Sequence, residues 1–171
     1  YKHFDAPNID ILVNDDTYNL AKLLPYIKNI LTFSYKRKKE NTFQQEKEIF
    51  SRIFKKYDLS INLTASDRSV LYALISGKKS ISAVEKNTRK SWWKKILLTH
   101  FYYFDNSRHI LQNNLKALSI LKIKFISHLN PLDTSENSNL NIKEKLANLR
   151  LSNFIIFHPS TQYKYKVYPE I

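Results

Sequence analysis

The stretch from Ser66 to Phe104, SDRSVLYALISGKKSISAVEKNTRKSWWKKILLTHFYYF, decides how the rest of the chain is read. Val70, Leu71, Leu74 and Ile75 share one helical face behind the capping pair Thr64 and Asp67. Gly77, the single glycine of the chain, reads as a left-handed helix stop. Ser82 with Glu85 forms another capping box, which opens a short helix ending near Asn87 and Thr88. Ser91 then starts a longer helix running from Trp92 to Phe104. One helix, a stop, a short helix, a turn and a longer helix make the rhythm of a helix-turn-helix.

That rhythm carries a functional expectation. The third helix of such a unit lies in the DNA major groove, and residues near its start reach phosphates and bases. Arg89, Lys90, Ser91, Lys94 and Lys95 are the residues it presents, with Lys78 and Lys79 on the approach. Lysines meet phosphate as point charges, whereas Arg89 suits a guanine edge. Trp92 offers a ring for base stacking, although its plainer reading is core. His100, amid apolar neighbours, reads as a hydrogen-bonded core histidine.

Upstream, Asp15 and Asp16 cap a helix in which Leu20, Leu23, Leu24, Ile27 and Leu31 recur at helical spacing, with Pro25 as a kink or a second start. The basic run Lys36-Arg37-Lys38-Lys39 reads either as a nuclear-localisation type signal or as a solvated helix end. Thr42 with Gln45 caps a helix whose buried stripe is Phe43, Ile49, Phe50, Ile53, Phe54 and Tyr57. Downstream, Leu111, Leu115, Leu118, Leu121 and Phe125 continue a helical pattern, with a strand over Leu121 to Ile126 as the competing assignment. Residues 130–139 form a polar loop, and Asn141 with Glu144 caps a further helix. Phe154 to Phe157 and Tyr163 to Tyr168, around His158-Pro159-Ser160-Thr161, read as a β-hairpin. Lys164 and Lys166 line one face of that hairpin as they would in a phosphate-contacting wing.

The expected fold is therefore mainly α: a multi-helix bundle with a helix-turn-helix-like centre and a C-terminal β-hairpin, in the manner of tandem winged helices. Residues 1–62 form an N-terminal helical segment, 63–129 the central unit, and 130–171 a helix plus hairpin, packed as one compact domain.

Composition bounds the function. A single glycine removes the Gly-rich loops that cradle nucleotide phosphates, and the absence of cysteine removes disulfides, thiolate metal sites and cysteine nucleophiles. The five histidines show no metal-ligand spacing, so neither metal nor cofactor is expected. With no methionine and a tyrosine at position 1, the chain reads as a piece of a longer polypeptide. No signal peptide or membrane span is recognisable, which gives a nuclear or cytoplasmic, non-secreted expectation with no membrane partner. The formal charge is +13, and it points to an anionic partner. A Lys-, Asn- and Ile-rich composition of the AT-rich-genome type accounts for part of that excess.

The leading expectation is a non-enzymatic nucleic-acid-binding domain of a larger protein, with duplex DNA as partner. Two others stand beside it. One is a structural or protein-interaction domain of a chromatin, replication or ribonucleoprotein assembly. The other is a toxin-like, metal-independent nuclease using His109.

Overall fold

A computed structural model describes residues 4–86, 89–124, 136–151 and 155, with the side chains of 37–41, 90 and 136–139 left aside. The chain divides into two compact units, Tyr1–Leu132 and Asp133–Ile171. The first is α/β, not an α bundle. Strand β1 (Ile9–Asn14) leads through a 3-10 turn (Asp15–Thr17) and helix α1 (Tyr18–Ala21) to β2 (Ile27–Phe33). Helix α2 (Tyr35–Ile53) precedes β3 (Tyr57–Asn62), α3 (Asp67–Ser76) and β4 (Gly77–Glu85). Helix α4 (Trp92–Leu97), β5 (His100–Phe104) and α5 (Ile110–Ile120) complete the described elements of the unit. In the second unit, helix α6 spans Glu136–Asn148.

Among the described residues all strand pairs are parallel. β1 pairs with β2, bringing Asn14 beside Phe33. β4 lies between β3 and β5, so Ile81 sits beside both Ile61 and His100. A parallel central strand is covered on both faces and reads as a continuous buried run rather than an alternation. Ser80 to Val84 is that run, buried at every position. The Ser82–Glu85 spacing matches a capping box, but these residues lie in an extended strand, and the short-helix expectation fails there. Ser82 is fully buried, and its hydroxyl donates to the Ala83 carbonyl.

Gly77 has a different task from the one its sequence setting implies. Its φ of −118° is extended, and it opens β4 instead of ending α3 in the left-handed region. A Cβ at this position would lie 2.8 Å from both the Ser60 nitrogen and the Lys79 carbonyl oxygen. Glycine is needed for close backbone approach, a role that spacing alone does not separate from a helix stop.

The remaining corrections have similar causes. Ile27, Ile30 and Leu31 fit a helical period, yet they belong to strand β2. The basic run 36–39 falls in the first turns of α2 rather than at a helix end. Gln45, Ile49 and Ile53 are the buried positions of α2, while Phe43, Phe50 and Phe54 are exposed. The helix expected from Trp92 to Phe104 stops at Leu97, and His100 is the exposed first residue of β5. The helices at Val70–Ile75 and Leu111–Leu118 form as read. The hairpin at 154–168 and its Lys164 and Lys166 lie outside the described residues, Ile155 excepted.

Three apolar clusters hold the unit. Phe33, Ile49 and Ile53 seat α2 beside β2, and Val70, Val84 and Leu98 join α3 to β4. Ile81, Ala83, Tyr102 and Ala117 join β4, β5 and α5. Each fully buried Val, Leu or Ile side chain contributes about 1.5–3 kcal/mol. At the amino end, the Tyr57 hydroxyl donates to Asp10 Oδ2 at 2.8 Å, tying the first residue of β3 to β1.

Candidate functional site

In parallel α/β units, ligands bind outside the carboxyl ends of the strands, where chain direction reverses about the first strand. Here the chain runs from β1 outward to β2, then returns through α2 to β3. The loops after β1, β2 and β3 therefore define the edge to inspect.

Their polar groups are organised. Thr17 Oγ1 donates to the Asn14 carbonyl at 2.8 Å, folding the turn after β1. Asn14 Nδ2 donates to Asp16 Oδ2 at 3.2 Å. After β2, the buried Gln45 clasps the Ser34 backbone: Ser34 N–H donates to Oε1 at 2.8 Å, and Nε2 donates to the Ser34 carbonyl at 3.1 Å. Arg68, in the first turn of α3, lays its guanidinium 3.6 Å from the Phe33 ring centroid. Such a stack is worth about 0.5–2 kcal/mol. Asn14 is the register partner of Phe33, so Phe33 is flanked by Asn14 in the sheet and by Arg68 over its ring.

Two polar atoms there are unsatisfied. Asn14 Oδ1 and Arg68 Nη1 are shielded from solvent and have no hydrogen-bond partner. Arg68 Nη1 forms an ion pair with Glu46 Oε1 at 3.9 Å, too long for a hydrogen bond. Glu46 accepts the Tyr72 hydroxyl, and burial together with that carboxylate pushes the Tyr72 phenol well above its ordinary value. An unmatched acceptor and an unmatched donor at one edge fit a ligand that offers both functions, as a sugar hydroxyl does.

The β3 and β4 ends carry a second polar group. Asn62 Nδ2 lies 2.8 Å from Ser82 Oγ and 3.2 Å from Ser69 Oγ, and Ser69 Oγ lies 2.6 Å from Thr64 Oγ1. Ser66 caps α3 by accepting from the Ser69 N–H. Beside them, Lys94 Nζ donates to Ala65 O at 2.5 Å and Glu85 Oε2 at 3.0 Å, and pairs with Asp67 Oδ1 at 2.7 Å. Burial alone would lower the Lys94 pKa, but the hydrogen bonds and charges of Asp67 and Glu85 raise it above the usual lysine value. Burial likewise works to raise Glu85, and hydrogen bonds from Ser91, its own backbone and Lys94 hold it below the usual carboxylate range. Both groups are charged at neutral pH, so the trio is a fixed clasp and not a proton-transfer site.

The residues expected to contact nucleic acid are dispersed. Lys78 and Lys79 are exposed near the amino end of β4, with Lys78 paired to Asp58 at 2.8 Å. Seven residues of strand, roughly 23 Å at about 3.3 Å each, separate Lys78 from the Glu85 end. Ser91 is buried and donates to Glu85 at 2.6 Å. Lys94 is 1% exposed. Lys95 lies over the Tyr103 ring at 5.2 Å, and Arg89 is exposed in the turn Arg89–Ser91. Lys90 shares that turn. His109 caps α5, its Nδ1 accepting from the Leu111 N–H at 3.2 Å. Among the described residues no group of three His, Asp or Glu side chains is arranged to hold a metal, and no helix is long and apolar enough to cross a membrane. Sequence reasoning missed the roles of Asn14 and Arg68, which carry no motif, and gave Gln45 a capping role with Thr42 although both residues lie inside α2.

No family model and no curated protein sequence matches the chain. Among solved structures, the glycosyl transferase family 9 protein from Veillonella parvula DSM 2008 matches with a TM-score of 0.68 at 18% identity. The match covers 95% of this chain and 47% of that one, so this chain spans about half the length of the solved protein. The likeness is one of fold, and it overturns the mainly α, winged-helix reading. With the third helix cut short and its predecessor a buried strand, no helix-turn-helix remains to support a DNA-binding domain.

Proposed function

We propose that this chain is a glycosyltransferase-type α/β lobe that holds a carbohydrate-bearing ligand at the carboxyl edge of β1 and β2. The observation that carries this reading is the pair of buried, unmatched groups, Asn14 Oδ1 and Arg68 Nη1, set around Phe33 on the edge where such folds bind ligands. The apolar face of a sugar ring suits the exposed ring of Tyr35, which meets Phe33 edge-on at 5.2 Å, and sugar hydroxyls donate and accept together. The fold likeness supports the class of chemistry, since the matched protein is a glycosyl transferase.

Transfer to a hydroxyl acceptor requires that the hydroxyl proton pass to a base as the new glycosidic bond forms and the bond to the leaving group breaks. Asp16 is exposed beside Asn14 and is the carboxylate best placed for that proton.

Saturation-transfer NMR with methyl α-D-glucoside and uridine diphosphate glucose as probes tests the reading. Saturation should reach the glucose protons and fall at least fivefold in Asn14→Ala and in Arg68→Lys, with Arg108→Gln unaffected. Equal saturation in all four proteins would overturn the proposal.

A further inference from the structure

A second concavity lies away from the carboxyl edge. It is an open cleft of about 490 Å³ toward the amino ends of β1, β2 and β3, walled by the last turn of α2. That volume falls within the range of small-ligand sites, about 300–1,000 Å³. Lys28, Arg52 and Lys56 line it from β2 and from the end of α2. All three are exposed. Elsewhere some exposed cations are paired, Lys78 with Asp58 and Arg108 with Asp105. Among the described residues, no ion pair or hydrogen bond engages the side chain of Lys28, Arg52 or Lys56.

One acidic group lies among them. Asp10 lines the same cleft and already accepts from Asn29 Nδ2 at 2.9 Å and from the Tyr57 hydroxyl at 2.8 Å. A carboxylate has about four lone-pair positions, so two donors leave it able to accept more. It is also immobilised, since Tyr57 and Asn29 grip one oxygen each. The cleft thus combines three uncommitted cations with one fixed acceptor. Tyr18 supplies an exposed ring at its margin.

We infer that this cleft binds a small phosphorylated polyol, such as a sugar phosphate, with Lys28, Arg52 and Lys56 around the phosphate and Asp10 accepting ligand hydroxyls. A bare anion would use the cations but meet the Asp10 charge without a compensating donor. A neutral sugar would use Asp10 and leave the cations idle. A ligand bearing both groups satisfies the whole lining. This inference is independent of the carboxyl-edge proposal, because neither Asn14 nor Arg68 lines the cleft.

Calorimetric titration of the whole chain with glucose 6-phosphate, glucose and inorganic phosphate tests it. Glucose 6-phosphate should bind at least tenfold more tightly than either other probe. The double variant Arg52→Gln/Lys56→Gln should weaken it at least tenfold, whereas Asp10→Asn should reduce the preference over inorganic phosphate. All substituted side chains except Asp10 are exposed, so folding is retained, and circular dichroism verifies it. Lys78→Gln/Lys79→Gln serves as the control for non-specific charge and should leave binding unchanged. Equal affinity for phosphate and glucose 6-phosphate would overturn the inference. So would binding that is indifferent to the Arg52/Lys56 variant or equally weakened by the Lys78/Lys79 variant.

Discussion

Lys94 and Lys95 are adjacent in sequence and equivalent on a helix-turn-helix reading, yet the structure gives them opposite roles. Replacing Lys94 with Met keeps the apolar stem but removes the charge and the donors to Ala65, Glu85 and Asp67. Breaking a fully buried pair by removing one partner costs about 3–5 kcal/mol. Here the partner carboxylates are not buried, with side-chain exposures of 42% for Glu85 and 70% for Asp67, so water recovers part of their solvation. The expected loss is about 2–3 kcal/mol, and at about 2–4 °C per kcal/mol it lowers the Tm by roughly 4–12 °C. Lys95→Met should change stability by no more than about 0.5 kcal/mol.

Urea unfolding followed by circular dichroism measures both variants, and the pH dependence supplies a second signature. Because the Lys94 pKa is raised, its contribution is complete below the ordinary lysine value of 10.5 and is lost as pH rises through the higher folded value. Because the Glu85 pKa is lowered, its contribution is present above 4.5 and is lost as pH falls through the lower folded value. The difference between wild type and Lys94→Met should therefore be flat between these limits and shrink outside them. Equal, small effects of the two substitutions would refute the clasp.

Three further outcomes follow from the packing. Burial, with help from the Asp10 hydrogen bond and charge, raises the Tyr57 phenol from 10.0 to about 12. Stability tied to the neutral phenol is complete below pH 10 and declines toward pH 12; two units correspond to about 2.7 kcal/mol, reduced to about 1–2 for a partly solvated group, and Tyr57→Phe should abolish that alkaline slope in a pH series of unfolding curves. Gly77→Ala forces a Cβ to within 2.8 Å of backbone atoms at Ser60 and Lys79, and calorimetry should show a loss of about 1–3 kcal/mol. Gln45→Leu removes both bonds to the Ser34 backbone, and should cost about 2 kcal/mol and speed amide exchange at Ser34.

The helices with strong local signals were legible in the sequence. The apolar face Val70 to Ile75 does form α3, although Ser66 caps it in place of Thr64, and Leu111 to Leu118 shows its period openly. The strands were not, for definite reasons. Buried parallel strands lack alternation, so Ser80 to Val84 gives no period-two signal. Ile27, Ile30 and Leu31 satisfy a helical spacing by coincidence, and a Ser-x-x-Glu pattern in β4 imitates a cap. A single glycine was assigned to the commoner of its two uses. Together, a strand that imitates a capped helix and a glycine that imitates a helix stop produce the rhythm of a helix-turn-helix.

The candidate site was less legible still. Its groups come from positions 14, 33 and 68, and only the parallel register of β1 with β2 and the stacking of α3 bring them together. The basic cluster drew attention because it is dense in sequence. In space it divides between opposite ends of β4, and its most buried member serves the fold.

Amide chemical-shift mapping during titration with methyl α-D-glucoside tests the central claim most directly. Perturbations should concentrate at residues 14–17, 34–35 and 66–69, the loops around Phe33 and the first turn of α3. Perturbations confined to Arg89–Lys95, or none at saturating sugar, would contradict it.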